Sequence, residues 1–178
     1  MKQKQLLVVA IALLSMLAGA ALYNFLQPVL FTEPTAGEQT PLALHAIPLT
    51  DLDQRETVFR DWQGDLLLVN FWAPWCAPCR REIPSLIQIQ REYGERGVRV
   101  LGIAFDSEAQ VRRFAEEYKI DYPLFLATNR AAMYNAALDN PSGSLPYTAL
   151  LDRNLTIIFR HNGEMTLAGL RALLDKSL

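Results

Sequence analysis

Apolar runs alternate with segments of helical periodicity over most of the chain. Leu66–Trp72 is a mostly apolar run of seven residues without helical alternation, which is typical of a strand buried on both faces. A charged segment with an apolar stripe at helical spacing follows it and ends near Gly94. Residues 98–105 predict a second strand, and the apolar spacing from Val111 to Tyr118 predicts a second helix.

The C-terminal half predicts shorter elements in the same alternating order. The predicted strands are residues 122–127, 147–151 and 155–159, and the predicted helices are residues 130–138 and a closing helix capped by Thr166. The last two strands are expected to form an antiparallel hairpin, and residues 44–59 a short strand pair ahead of the core. The order predicts an α/β fold with a central mixed sheet and helices on both faces.

The N-terminal region has the pattern of a transmembrane helix. Residues 6–26 carry no charge, and a helix of this length spans roughly 31 Å, close to the thickness of a bilayer core. Lys2 and Lys4 precede the run and the next charge is Glu33, so the positive-inside rule places the N-terminus in the cytoplasm. A cleaved signal peptide is the alternative, because residues 18–20 are small. In both cases the rest of the chain lies outside the cytoplasm.

Composition divides the chain into three predicted regions. Residues 1–26 form a cytoplasmic tail and anchor, residues 27–43 a flexible tether with three Pro, one Gly and scattered Thr and Glu, and residues 44–178 one globular domain. The formal charge of −2 becomes about −4 without Lys2 and Lys4. A mildly acidic domain argues against nucleic acid as a partner.

Both cysteines lie where the first buried strand is expected to pass into a helix. Unpaired N–H groups and the positive end of the helix dipole favour a thiolate at Cys76, which predicts that Cys76 is the nucleophile. Cys79, one turn further along, is expected to be the shielded and protonated resolving thiol. Ala77 and Pro78 separate the two sulfurs and, together with Asn70, are expected to tune their redox behaviour, and Pro78 is compatible with the first turn of a helix.

Glu82 is the candidate acid of the site. It follows Cys79 by three residues, so the two side chains share a helix face and the carboxylate could take the proton of the Cys79 thiol. The alternative is a solvated helix glutamate. Asn70, on the strand that leads to the cysteines, could orient a water or a backbone group but cannot accept a proton. Arg80 and Arg81 are expected to face solvent.

A structural or metal-binding role for the cysteine pair is less favourable. A purely structural disulfide over so short a loop would constrain the unfolded chain little. The C-x₂-C spacing is half of a zinc site, which His45 and His161 could in principle complete. Each histidine stands alone, however, and His161 is expected in an exposed turn, so we predict no metal.

The sequence FWAPWCAPCRREIP at residues 71–84 is similar to the active-site segment of thioredoxin-like proteins. Its Asn-Phe-Trp opening and Glu-x-Pro ending resemble the membrane-tethered TlpA/ResA branch, to which the cytochrome c maturation protein CcmG is related. The resemblance, from about residue 44 onward, implies a thioredoxin-fold protein anchored in the bacterial inner membrane, with a catalytic domain that is periplasmic or otherwise extracytoplasmic. It also implies a membrane electron donor, protein thiol or disulfide substrates and no cofactor beyond the Cys76–Cys79 disulfide. Ordinary thioredoxins carry aspartate in place of Asn70, and in this branch the acid matches Glu82.

Pro146 has two interpretations. By base rate it is an ordinary trans proline at the start of a strand. The resemblance implies a cis proline opposite the cysteines, where the preceding residue offers backbone groups to a bound peptide. That residue is Leu145, and we predict that Trp75, Leu145 and Pro146 form an apolar groove for the substrate.

Three functions stay open for such a site. The resemblance favours a reductant of protein disulfides, with apocytochrome c or a copper-site protein as client. A DsbA-like oxidant would use the same residues, because direction depends on a reduction potential that ranges from about −270 to −120 mV in this fold. A copper-binding protein could use the same two thiolates.

Overall fold

The computed structural model describes residues 15, 16 and 44–178. The predicted span at residues 6–26 therefore lies outside the described residues except for Ser15 and Met16, and the predicted tether at 27–43 lies wholly outside them. Within the described ranges, no helix has both the length and the apolar character needed to cross a bilayer. The division into three regions stays a prediction.

A five-stranded sheet organises the domain. The strands are β1 (Pro48–Thr50), β2 (Glu56–Val58), β3 (Leu66–Trp72), β4 (Val98–Ala104), β5 (Leu124–Leu126), β6 (Tyr147–Leu151) and β7 (Ile157–Asn162). The order in the sheet is β5-β4-β3-β6-β7, with β3, β4 and β5 parallel and β6 and β7 antiparallel to their neighbours. Strands β1 and β2 form a separate antiparallel pair. This arrangement confirms the predicted mixed sheet.

Helices cover both faces of this sheet. The helices are α1 (Ala77–Tyr93), α2 (Glu108–Tyr118), α3 (Ala131–Ala137) and α4 (Leu167–Ser177), with short 3₁₀ turns at Phe59–Trp62 and Gly94–Arg96. Successive β3 side chains point to opposite faces, so Leu68 and Trp72 join a core under α1, α2 and α4. Val69 and Phe71 join the core formed with α3 and the β1–β2 pair. The central strand is therefore buried on both faces, as predicted.

Several strand boundaries differ from the prediction, and the starts of two strands do so for identifiable local reasons. Strand β5 begins at Leu124 rather than at residue 122, because Pro123 has no N–H and contributes only its carbonyl, which accepts from Gly102 N. Strand β7 begins at Ile157 rather than at residue 155, because a turn closed on Asp152 takes the intervening residues. Strand β7 also extends to Asn162, past the predicted end at residue 159, so His161 lies within β7 rather than in an exposed turn, and its ring stacks on Phe159.

Candidate active site

Cys76 is the N-cap residue of α1, just beyond the end of β3. A turn brings it there, with Cys76 N donating to Ala73 O at 3.1 Å. The Cys76 backbone is extended, and its Sγ accepts a hydrogen bond of 3.3 Å from the N–H of Cys79. Pro78 lies in the first turn of α1, where its missing N–H costs nothing. The predicted placement of the cysteine pair at a strand-to-helix junction is confirmed.

The two sulfurs form a disulfide and differ in accessibility. Cys76 and Cys79 are bonded to each other. Cys79 is 1% exposed and Cys76 is 6% exposed, whereas Ala77 between them lies at the surface. Cys76 is thus the sulfur closer to solvent, and an incoming thiol or disulfide meets it first.

Glu82 is buried against the sheet, so the interpretation as a solvated helix glutamate is wrong. Its side chain is 1% exposed. Glu82 Oε2 accepts a hydrogen bond of 3.3 Å from Asn70 Nδ2, and Oε1 accepts one of 3.1 Å from Met165 N. Asn70 Nδ2 also donates to Thr148 Oγ1 at 3.0 Å. Asn70 therefore orients the carboxyl group of Glu82.

Burial dominates the electrostatics of Glu82. Desolvation raises the pKa of Glu82 from 4.5 to about 7, although the hydrogen bonds from Met165 and Asn70 favour the charged form. The nearby negative charge of Glu164 raises this pKa further. A carboxyl group that titrates near neutrality can both take up and release a proton under ordinary conditions.

The peptide bond between Leu145 and Pro146 is cis, as the resemblance implies. Pro146 is buried, and its carbonyl oxygen accepts a hydrogen bond of 2.9 Å from Gly163 N. Leu145 is half-buried and packs against both cores. Only part of Leu145 is therefore available to a bound peptide.

Trp75 projects from the active-site loop with 68% of its surface exposed. It lines a groove of about 340 Å³ between this loop and one face of α2. The other lining residues are Pro74, Asp106, Gln110, Arg113, Phe114 and Glu117. Leu145 and Pro146 do not line this groove.

The histidines that could have completed a zinc site have other partners. His45 Nε2 lies 3.2 Å from the carbonyl oxygen of Asn154, and His161 stacks on Phe159. Across the part of the chain that the structure describes, no group of three or more His, Cys, Asp or Glu side chains could hold a metal ion.

Several residues around the site were not identified from the sequence. Thr148 and the backbone N–H of Met165 both support the Asn70–Glu82 contact, although they come from distant segments. Arg81 is exposed as predicted, but its guanidinium also donates two hydrogen bonds to the Glu164 carboxylate. A glycine inside a strand is a recognisable signal of close packing, and Gly102, which lies opposite Asn70 in the sheet, could have been found that way.

The sequence is similar to thiol-disulfide oxidoreductases over nearly its whole length. Residues 41–160 match the AhpC/TSA family. The chain is 32% identical to the thioredoxin-like protein YneN of Bacillus subtilis, over 92% of this chain and 94% of YneN. It is also 32% identical to the thiol-disulfide oxidoreductase ResA of Geobacillus kaustophilus, over 93% of this chain and 92% of ResA.

Solved structures share the fold. A thioredoxin-family thiol:disulfide interchange protein from Chlorobium tepidum superimposes with a TM-score of 0.66 at 24% identity, covering 74% of this chain and 92% of the other. StoA from Bacillus subtilis superimposes with a TM-score of 0.60 at 19% identity, covering 74% of this chain and 98% of StoA. At these identities the likeness establishes the thioredoxin fold.

Proposed function

The chain belongs to the AhpC/TSA family and is a thiol-disulfide oxidoreductase of the ResA type, and we propose that it reduces disulfides in client proteins outside the cytoplasm. The observation that carries the exchange chemistry is the buried carboxyl group of Glu82, one helical turn from the buried Cys79 sulfur, where burial raises its pKa to about 7. The reducing direction is what the resemblance to the TlpA/ResA branch implies. An acid at this place serves a resolving thiol that must lose its proton during turnover.

The first step uses reduced protein. The Cys76 thiolate, stabilised by the start of α1, attacks one sulfur of the client disulfide. A new bond forms between Cys76 Sγ and that sulfur, the client disulfide bond breaks, and the other client sulfur leaves with the electron pair and takes a proton. The N–H of Cys79, which donates to Cys76 Sγ in the oxidised protein, is placed to stabilise the thiolate as well.

The second step releases the client. The Cys79 thiol gives its proton to the Glu82 carboxylate, and the Cys79 sulfur attacks Cys76 Sγ. The bond between Cys76 and the client breaks, and the second client sulfur leaves as a thiolate. The client has gained two electrons and the protein holds the Cys76–Cys79 disulfide. No cofactor beyond these two sulfurs takes part, and a membrane electron donor returns the pair to the dithiol.

The remaining elements of the proposal concern binding and location. Trp75, Leu145 and Pro146 contact the client around the reacting sulfurs, while Ala77 and Pro78 set the potential of the pair. Residues 6–26 anchor the chain in the bacterial inner membrane by a single pass, with the N-terminus in the cytoplasm and the catalytic domain on the other side. Apocytochrome c or a copper-site protein would be a fitting client.

Trapping and potentiometry test this proposal. Cys79→Ser should accumulate a mixed disulfide between Cys76 and its client in cells, whereas Cys76→Ser should accumulate none. The wild-type pair should be mostly reduced in cells and should equilibrate with glutathione at a potential well below about −120 mV, the value of a strong oxidant. A pair that is fully oxidised in cells and has a potential near that value would identify a DsbA-like oxidant instead. One Cu(I) bound per chain without disulfide turnover would identify a copper-binding protein.

A further inference from the structure

Three consecutive residues between β7 and α4 contact three parts of the candidate site. Gly163 N donates to Pro146 O at 2.9 Å, in the loop that precedes β6. Glu164 Oε2 accepts two hydrogen bonds from the guanidinium of Arg81, from Nε at 2.9 Å and from Nη2 at 2.6 Å. Met165 N donates to Glu82 Oε1 at 3.1 Å. We call residues 163–165 the bridging segment.

The backbone of the bridging segment depends on its glycine. Gly163 has a φ of +101°, a conformation that L residues with a side chain rarely adopt, and no atom beyond its two chain neighbours lies within 4 Å of where a Cβ would be. The turn directs Glu164 toward the exposed face of α1 and Met165 N toward its buried face. Arg81 and Glu82 are adjacent in α1, so one short segment contacts the outer and the inner side of the same helical turn.

We infer that the ion pair of Arg81 with Glu164 positions the groups around Glu82. The ion pair holds Met165 N on the Glu82 carboxyl group, and it thereby sets the pH at which Glu82 accepts the proton of Cys79. The inference rests on the proposed function, in which Glu82 is that proton acceptor. Arg81 and Glu164 themselves touch neither the sulfurs nor the proton, so both are positioning residues.

Two neighbouring residues of the bridging segment have opposite effects on the ionisation of Glu82. The hydrogen bond from Met165 stabilises the Glu82 carboxylate, whereas the charge of Glu164 destabilises it. Arg81 fixes the segment that carries the Met165 donor and also neutralises Glu164. Losing Arg81 therefore raises the pKa of Glu82 through both effects, while Glu164→Gln removes the negative charge and leaves Arg81 an amide oxygen to bind.

The surroundings of Glu82 contain few other groups that could account for such shifts. Tyr122 precedes β5 and interacts electrostatically with Glu82. Burial raises the pKa of the Tyr122 hydroxyl, which therefore stays protonated over the pH range in which Glu82 titrates. Asn70 and Thr148 from β3 and β6 do not titrate. The Cys76 and Cys79 sulfurs of α1 do not titrate while they form a disulfide.

The test measures the pKa of Glu82 in the full chain with its disulfide intact, by NMR titration of the side-chain carboxyl carbon. Arg81→Gln should raise this pKa, and Glu164→Gln should lower it, each by roughly 0.2 to 0.7 of a pH unit. Arg80→Gln is the matched control, because it removes the same charge from the adjacent exposed position, where Arg80 binds Tyr118 instead. The inference is overturned if Arg81→Gln shifts the pKa no more than Arg80→Gln does.

Kinetics separates this inference from the proposed function. The pH midpoint of the resolving step should move with the pKa of Glu82 in each variant, and Arg81→Gln should have no further effect on it when Glu82 is already glutamine. If Glu82→Gln alone leaves the resolving step unchanged, the proposed role of Glu82 is wrong, even where the NMR shifts occur. If Glu82→Gln alters that step but the Arg81 and Glu164 variants do not shift its midpoint, only the positioning role is wrong.

Discussion

Asn70 Nδ2 donates a hydrogen bond to Glu82 Oε2 across the buried interface between β3 and α1. The strand that leads to the cysteines and the helix that carries them thus share a polar contact inside a largely apolar core, where Leu68 and Trp72 lie on the same face as Asn70. A buried acid in such a place costs stability when it is charged. Both the exchange chemistry and the stability of the domain should therefore depend on the protonation of Glu82.

Glu82→Gln should slow the resolving step of disulfide exchange. An amide cannot accept the proton of Cys79, and a general base contributes typically 10²- to 10⁴-fold, so we expect a loss of about 100-fold near pH 7. The measurement starts from a mixed disulfide between Cys76 and a chromophoric thiol and follows release of the thiol by stopped flow. Formation of that mixed disulfide should be nearly unchanged. Equal release rates in wild type and variant would contradict the prediction.

Glu82 should also make stability fall with rising pH. Burial raises its pKa from 4.5 in the unfolded chain to about 7 in the folded protein. Below the lower value the carboxyl is protonated in both states; between the two values only the unfolded chain releases the proton, so the free energy of unfolding decreases as pH rises. The full loss, reached above the folded pKa, is about 3 kcal/mol.

Glu82→Gln tests this linkage because its side chain is neutral at every pH. Denaturant titrations of the disulfide-bonded proteins give the free energy of unfolding at each pH. Relative to wild type, the free energy of unfolding of the variant should increase by about 3 kcal/mol between about pH 4 and pH 8. Glu95→Gln, at an exposed position just beyond α1, should show no such gain. A constant difference between Glu82→Gln and wild type over this range would show that Glu82 titrates normally.

Asn70→Asp should convert the contact into a coupled pair of carboxyl groups. Two carboxyls at hydrogen-bond distance cannot both ionise easily, so their titrations separate. The Thr148 hydroxyl can rotate to donate to the new carboxylate, which favours the proton on Glu82 and raises its pKa above the present value of about 7. NMR titration should show two coupled transitions, and the pH midpoint of the resolving step should rise. A single transition near the wild-type value would exclude coupling.

The parts of the fold set by local sequence could be predicted. Leu66–Trp72 has apolar side chains at nearly every position, which marks a strand covered on both faces, and the placement of Cys76 at the start of α1 follows from the change of pattern directly after it. The spacing of Cys79 and Glu82 likewise fixed that they share a helix face.

The residues that pack against that helix face could not be predicted, because they come from segments far away in the sequence. The Met165 donor is 83 residues from Glu82, and Thr148 is 78 residues from Asn70. Periodicity identifies a face of α1 but not the loop that covers it, so the residues alone leave both burial and solvation of Glu82 open, and only the resemblance favours its role as the acid. The start of β7 depended on a turn closed by side-chain hydrogen bonds of Asp152, which hydrophobic alternation does not reveal.

Gly102→Ala should destabilise the domain by overpacking. A Cβ at this position would lie 2.6 Å from Leu124 Cδ2, 3.0 Å from Trp72 Nε1 and 3.1 Å from Tyr122 Cε2. All three side chains are buried, so room for a methyl group requires shifts in the core, at a cost of about 1 to 3 kcal/mol. Denaturant unfolding measures the loss.

Gly169→Ala is the matched control for that substitution. Its Cβ would meet only Thr166 Oγ1, at 3.4 Å, and Gly169 lies in the first turn of α4. Alanine favours a helix over glycine by up to about 1 kcal/mol, so this variant should be unchanged or slightly more stable. Equal changes in the free energy of unfolding for the two substitutions would mean that the side chains around Gly102 can shift to accept a methyl group without loss of stability.

Trp75→Ala should weaken recognition of protein disulfides without altering the chemistry of the sulfurs. Trp75 precedes Cys76 and is largely exposed beside the groove along α2, so a polypeptide joined to Cys76 has this aromatic surface within reach. Aromatic side chains at such positions commonly contribute about 1 to 2 kcal/mol or more to binding, which corresponds to a rise in KM of about tenfold. A small disulfide that reaches only the sulfurs should react at the wild-type rate. Because the side chain is exposed, thermal stability should not change, and Trp75→Phe should recover most of the affinity. Parallel losses for protein and small disulfides would instead mean that Trp75 acts on the reactivity of Cys76.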